Sequence, residues 1–259
     1  MGKMVWLFGV FNTIGVITVP VYGLLRYREK KELLGGVSRS VMAFLASKGC
    51  RGPLTWAAFW VVLETFLVAA AQHYYASYMN VPFGDFFHTG ANYFGLLLAA
   101  PILMGLVCFL MRIDYLAQYD LVTPAYPLAL IFTKIACYFA GCCRGFAWDG
   151  GIYNPITKLT EFPAQLVEMA MALVLLIFME FCRGKLKKGT MFPVYMMVYS
   201  GTRFFTEFLR CEPRVFHGFK TYQLLCLGGV LVGALEYLLV CMYHARVRKK
   251  EDAAKDQDS

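Results

Sequence analysis

Charge is what this chain has least of. Asp, Glu, Lys and Arg make up 16% of its 259 residues, where a soluble domain carries about 25%. Acidic residues are the scarcer kind, 17 against 25 Lys and Arg. Several motifs are absent as well. There is no glycine-rich phosphate loop or dinucleotide fingerprint, no Cys-x-x-Cys pair and no repeat of fixed period. No stretch between apolar segments is long enough for a soluble domain. These absences exclude nucleotide-dependent chemistry and a soluble enzyme, and no cofactor is expected.

Apolar residues fill the space that charge leaves. They account for 59% of the chain, with 22 Phe, 16 Tyr and 4 Trp, and the mean hydropathy is +0.53. One water-facing core cannot hide that much apolar surface, so a bilayer is the expected solvent. A spanning helix needs about 20 apolar residues at 1.5 Å each. Seven segments meet or approach this: Met4 to Leu25, Pro53 to Ala71, Asn92 to Met111, Leu121 to Ala140, Phe162 to Phe181, Met191 to about Phe205, and Tyr222 to Tyr243. The first lacks a small-residue cleavage site and reads as a retained helix rather than a signal peptide. The predicted fold is therefore all-α, a polytopic membrane protein of seven spans, with residues 1–245 as one transmembrane domain and 246–259 as a charged tail.

The placement of the basic residues predicts orientation. Alternate loops and the C-terminal tail collect 17 Lys and Arg on one side against 6 on the other. The positive-inside bias then puts the N-terminus outside and the tail in the cytoplasm. The net charge of +8 thus reads as a topology signal and a surface for anionic lipid, with no need for nucleic acid. The segment Val37 to Lys48 alternates apolar and basic residues like an interfacial helix, and Glu251 to Ser259 reads as solvated and disordered.

A charge at mid-bilayer costs roughly 2.5 to 3.5 kcal/mol on the insertion scale, so each one asks for a partner or a role. Glu64, Lys134, Glu168, Arg203 and Glu207 are such charges, and Glu180 and Glu236 lie nearer the cytoplasmic ends. Arg203, Glu207 and Arg210 are spaced to share a face of a continuing helix. They read either as an ion-pair ladder or as a guanidinium aimed at a lipid phosphate, which Arg grips bidentately. Of the four histidines, His73, His217 and His244 read as interfacial. His88 sits between glycines, in Gly84-Asp-Phe-Phe-His-Thr-Gly90 at the outer interface, where imidazole can exchange protons near neutral pH.

Nine cysteines are present. Cys108, Cys226 and Cys241 read as apolar core. Cys142, Cys143 and Cys211 fall on the oxidising side, where disulfides can form, with Cys137 about one turn inside the membrane. Cys137, Cys142 and Cys143 are candidates for a thiol role. Their spacing, with or without His88, matches no standard zinc pattern, and no metal is expected. Gly229 and Gly233 form a GxxxG, a close helix-packing signal.

Several outer-side segments, in order, resemble the prolipoprotein diacylglyceryl transferase family of bacterial inner-membrane enzymes. Phe87-His88-Thr89-Gly90 is similar to the family's His-Gly-Gly at the start of a span. Asp120-Leu and Pro124-Ala-Tyr-Pro127, followed by Lys134 to Gly145, resemble its next span, although Lys134, Cys137 and Cys142 stand where the family has Arg, Asn and Glu. Pro163-Ala-Gln165-Leu166-Val-Glu168 matches the family's Pro-x-Gln-Leu-x-Glu in full. Tyr199-Ser-Gly201-Thr-Arg203-Phe204-Phe-Thr-Glu207-Phe208-Leu-Arg210 resembles its Tyr-Gly-x-x-Arg-Phe-x-x-Glu-Phe-x-Arg, and Gln223-Leu224 opens the last span as in the family.

The resemblance implies transfer of a diacylglyceryl group from phosphatidylglycerol, or a similar anionic phospholipid, to the lipobox cysteine thiol of a prolipoprotein signal peptide, at the outer face of the inner membrane. It also implies roles. Arg203 clamps the phosphate with Lys134 and Arg210 in support, and His88 takes the thiol proton. Gln165, Glu168, Tyr199 and Glu207 bind or orient the head group. Two alternatives stay open at this point: a family relative that handles another lipid head group or is not catalytic, and a thiol-disulfide membrane oxidoreductase using Cys142 and Cys143. Against the second, vicinal cysteines close a strained ring.

Overall fold

The computed structural model describes residues 114–154, 157–211 and 214–257, with isolated positions between 7 and 26 and at 102 and 105. The second predicted span, most of the third, Val37 to Lys48, Glu64, His73 and His88 lie outside the described residues. The described helices are α1 (Tyr115–Val122), α2 (Ala125–Ala140), α3 (Ala164–Cys182), α4 (Met191–Thr206) and α5 (Thr221–Gln257). A single turn of 3-10 helix, Glu207–Leu209, follows α4.

Local chemistry sets the helix ends. Asp114 caps α1 by accepting from the Ala117 N–H at 3.2 Å, so one of the first unpaired N–H groups has a partner. Pro124 stands between α1 and α2, and Pro127 lies in the first turn of α2, where a missing N–H costs nothing. Backbone bonds from Thr123 to Tyr119 and from Tyr126 to Thr123, both 3.1 Å, carry the rod across the junction. Among the described residues, Tyr115–Ala140 is consequently one of three segments long and apolar enough to cross a membrane, with Ala164–Cys182 and Thr221–Asp256. Helix α4 is shorter at 16 residues, close to the predicted Met191 to Phe205. Its start is capped from a distance: the Asp120 carboxylate accepts from the N–H groups of Gly189 at 2.6 Å and Met191 at 3.0 Å.

An aromatic column locks α4 against α1 and α2. The rings of Tyr119 and Phe192 lie 4.2 Å apart, Tyr126 and Tyr195 6.0 Å, and Tyr195 and Tyr199 5.8 Å. Such pairs contribute roughly 0.5 to 1.5 kcal/mol each beyond area burial. On the other flank α4 packs on α5, and an added Cβ at Gly233 would stand 3.1 Å from the Pro193 carbonyl. That close approach accounts for one glycine of the Gly229/Gly233 pair.

Two parts of the sequence reading are corrected. The described fold is mostly helical rather than all-α. Strands β1 (Ala147–Asn154) and β2 (Leu159–Glu161) form an antiparallel hairpin, and β3 (Arg214–Phe216) pairs with β4 (Phe219–Lys220). Both hairpins sit beyond helix ends, where the connecting backbone needs partners of its own. The tail is helical through Gln257 although solvent-exposed. Ala253 and Ala254 are strong helix formers, and Glu251 stands four residues before Lys255, the favourable order for a helical ion pair.

Polar contacts segregate to the two ends of the bundle. At one end Glu180 accepts from the Tyr22 hydroxyl and pairs with Arg26 at 3.1 Å and Arg183 at 3.5 Å. Lys188 pairs there with Asp114. Burial alone would raise the Asp114 carboxyl, yet Lys188 and the Ala117 N–H outweigh it and hold the group below its ordinary value. Because Glu180 and Arg26 are about a quarter exposed, Glu180→Gln should cost under about 1 kcal/mol. A melting curve of the variant would check this.

Candidate active site

The opposite end gathers the C-terminus of α2, the N-terminus of α3, the C-terminus of α4 and the start of α5. Lys134 sits six residues before the end of α2, about 9 Å below it at 1.5 Å per residue. There its ammonium pairs with the Glu168 carboxylate of α3. Arg203 reaches the same carboxylate from α4 at 3.4 Å and pairs with Glu207 at 2.6 Å. Arg210 lies 3.9 Å from Glu168 and 3.8 Å from Glu207.

All five groups are buried: Glu168 and Glu207 are 0% exposed, Arg203 3%, Arg210 7% and Lys134 9%. Three cations thus share two carboxylates, leaving one positive charge in excess among these five groups. Buried charges are retained only when paired or when they meet a ligand.

Arg203, Glu207 and Arg210 do converge, but not on a continuous helix face. The α-helix ends at Thr206, one 3-10 turn follows, and Arg210 is already extended. The phenol ring of Tyr222 lies 5.8 Å from both guanidinium carbons, close enough for cation–π attraction. Tyr199 is buried one turn before Arg203 on α4. Gln165 is turned to another task, its amide N–H donating to the Cys142 carbonyl at 2.6 Å. The predicted base, His88, is outside the described residues.

Three buried polar residues escaped the sequence reading. Lys220 counted only as an outer-loop charge, yet its ammonium donates to the carbonyls of Glu207 at 2.6 Å and Arg210 at 2.5 Å. It thereby holds the turn that carries both side chains. Asn154 donates to Glu161 at 3.0 Å and to the Gly141 carbonyl at 3.3 Å, and Glu161 also meets Arg144 at 3.3 Å. These contacts tie the β1–β2 hairpin to the end of α2. Polar residues in a loop carry no burial signal in one sequence, so only the hairpin reveals them.

Gly145 is the seam between these pieces. Its N–H donates to Phe162 O at 3.2 Å and it bridges to Arg210. A Cβ there would stand 2.4 Å from Phe162 O and 2.9 Å from Leu209 O. Gly145→Ala should therefore cost about 2 kcal/mol by overpacking and displace Arg210. A lower melting temperature is expected, and an unchanged melting curve would show that the seam tolerates a side chain.

At helix α2's end Gly141 takes a left-handed conformation at φ 64°, as a terminating glycine does. The chain turns back so that the sulfurs of Cys137, Cys142 and Cys143 lie within 4.8 Å of one another. None of the three is in a disulfide. A cleft of about 170 Å³ opens beside this turn, lined by residues including Tyr138, Phe139, Gly141, Tyr153, Phe162 and Gln165. Its walls are mostly apolar and aromatic, with the polar side chains of Asn154, Glu161 and Gln165 among them.

Known proteins match this sequence over long stretches. The family model described as prolipoprotein diacylglyceryl transferase matches residues 3–239. Phosphatidylglycerol–prolipoprotein diacylglyceryl transferase 2 of Clostridium perfringens is 31% identical over 160 residues, covering 58% of this chain and 62% of that protein. The Clostridium tetani transferase is 28% identical over 150 residues, 54% of this chain and 60% of the relative. That of Ehrlichia canis is 29% identical over 172 residues, 63% and 65%. The chain thus spans 60 to 65% of the length of these relatives. The family match runs through every residue of the buried cation cluster, and on that extent the chain belongs to the prolipoprotein diacylglyceryl transferase family.

Proposed function

We propose that this protein transfers the diacylglyceryl group of phosphatidylglycerol, or a similar anionic phospholipid, to the cysteine thiol of a prolipoprotein signal peptide at the outer face of a bacterial inner membrane. One observation carries the reading: Lys134, Arg203 and Arg210 converge in a buried site with one charge more than Glu168 and Glu207 neutralise. A phosphodiester anion is the ligand such a surplus favours. The names of the relatives supply the lipid and the protein acceptor.

In this reading seven spans form one domain over residues 1–245, with the N-terminus outside and residues 246–259 as the cytoplasmic tail. The reaction is attack by the acceptor sulfur on a glycerol carbon, with glycerol phosphate leaving. Charge builds on the departing phosphate oxygen, so preorganised cations there lower the barrier. Arg203 is the clamp, because a guanidinium offers two parallel donors and stays charged when desolvated. Lys134 and Arg210 add field, Glu168 and Glu207 aim the three cations, and Tyr199 and Gln165 shape the floor and the neighbouring loop. His88 accepts the thiol proton, which an ordinary thiol near pKa 8.5 gives up with modest help.

The test is lipidation of a lipobox-cysteine peptide by purified protein in phosphatidylglycerol vesicles, alongside complementation of a cell depleted of its own transferase. A thioether-linked product on the Cys peptide and none on its Ser counterpart is expected. A folded protein that gives no product with any anionic phospholipid overturns the proposal.

A further inference from the structure

The three-cysteine turn is the feature the phosphate clamp leaves unexplained. Cys137 lies in the last turn of α2, the Cys142 N–H returns to Cys137 O at 3.2 Å, and the Cys142 thiol sits 3.7 Å from the same carbonyl. Cys143 holds φ at 57°, a region disfavoured for any residue with a Cβ and found where a side chain must be aimed. The turn is also held from outside by Gln165, through the Cys142 carbonyl. The outcome is three sulfurs from one buried, one half-buried and one exposed residue, all within 4.8 Å of one another. Among the described residues no other group of three potential metal ligands gathers this way. Linear spacing alone argued against a metal; the left-handed turn at Gly141 removes that objection by folding the sequence back on itself.

A zinc ion bonded to sulfur at about 2.3 Å in tetrahedral geometry needs sulfurs about 3.8 Å apart. Rotamer adjustment of under about 1 Å from the observed spacing reaches that. Three protein ligands with an open fourth position are the mark of a reactive rather than a structural zinc site, and Cys142, being exposed, leaves the fourth position accessible. Three thiolates on a divalent cation carry one negative charge. Lys134, one turn before Cys137 on α2, and Arg210, bridged to Gly145, face that charge, and the buried ammonium of Lys220 on the Arg210 carbonyl is a fourth cation that leaves a surplus for the phosphate.

We propose that Cys137, Cys142 and Cys143 bind a thiophilic divalent cation, zinc by this geometry, whose open position takes the acceptor cysteine as a thiolate beside the phosphate clamp. This rests on the transferase reading above. A thiol that coordinates zinc loses its proton outright, here to the base of the transferase reading. The bound sulfur then forms the S–C bond to the glycerol carbon as the C–O bond to phosphate breaks. The phosphate oxygen keeps the electron pair, and the neutral thioether leaves the metal. No electrons are exchanged and no oxidant is needed.

The test uses the full chain in detergent, purified under reducing conditions, stripped with a chelator and reloaded with Zn²⁺ or Co²⁺. About one zinc per chain should survive desalting. Binding should be lost in the Cys137→Ser, Cys142→Ser, Cys143→Ser triple variant and in Cys137→Ser alone, but kept in Cys241→Ser. Circular dichroism and melting curves verify that each variant is folded.

With Co²⁺ the visible spectrum should be tetrahedral, and it should change when a lipobox-cysteine peptide is added but not when its Ser counterpart is. Failure of the wild type to hold metal, equal binding by the triple variant, or a spectrum blind to the peptide thiol overturns the proposal. A mass deficit of two hydrogens that locates a disulfide within the cluster under these conditions does so as well. Transfer that proceeds equally with and without zinc removes the metal and leaves the transferase reading standing. Thiol-dependent spectra with no transfer from any phospholipid remove that reading and leave the metal site.

Discussion

Arg203→Ala is expected to lower diacylglyceryl transfer about 100- to 1,000-fold, the range seen when one preorganised donor to a developing oxyanion is removed. Arg203 is the only described cation that contacts both buried carboxylates within 3.5 Å, Glu168 at 3.4 Å and Glu207 at 2.6 Å. Its loss removes the surplus charge and leaves Glu168 to Lys134 and Glu207 to Arg210. Arg203→Lys should recover part of the rate, because it restores the charge without the planar fork.

The defect should fall mainly on kcat. Lys134 and Arg210 still attract the lipid anion, while the stabilisation of the leaving phosphate is lost. Vesicle assays across a range of phosphatidylglycerol content separate the two parameters. A variant that keeps its parental rate, with an unchanged melting curve, would remove Arg203 from the chemistry.

Glu168→Gln should produce the largest loss of stability. Three buried cations lie against this one carboxylate, and breaking a buried pair by deleting one partner costs roughly 3 to 5 kcal/mol. For a chain of this size that corresponds to about 10 °C in melting temperature. The amide keeps volume and hydrogen-bonding capacity, so the loss reports charge.

A second substitution isolates the cause. Lys134→Met in the Glu168→Gln background removes one of the orphaned cations, and the double variant should melt above Glu168→Gln alone. Additive losses from the two changes would instead show that Lys134 and Glu168 do not interact. Transfer should be poor in both, since the clamp is no longer aimed.

Much of the site was legible one residue type at a time. Glu168, Arg203 and Glu207 stand out because a charge inside an apolar segment is costly, and a chain of 16% charge offers few of them. The full match of Pro163 to Glu168 to a family motif pointed to Glu168 from another direction, and the resemblance over Tyr199 to Arg210 did so for Arg203 and Glu207. Helix α4 was found to within a residue for the same reason: length and hydropathy bound a span directly. The hairpins were not legible. Their strands hold Asp149, Gly150, Gly151 and Asn154 among aromatics, and short strands beyond a membrane show neither a clean period of two nor a continuous apolar run.

The division follows from what a linear order can encode. Solvent preference adds up residue by residue, so the bilayer as environment, the bounds of helices α3 and α4 and the identity of the buried charges are written in composition and spacing. Pairing does not add up that way. That Lys134 and Arg210 lean on Glu168, that Lys220 caps the turn after α4, and that Cys137 meets Cys143 depend on where helices end. They also depend on one left-handed glycine and on backbones that approach closely at Gly145. Coulomb attraction and coordination fall off over a few ångströms, and only the folded arrangement brings groups from different helices within that reach.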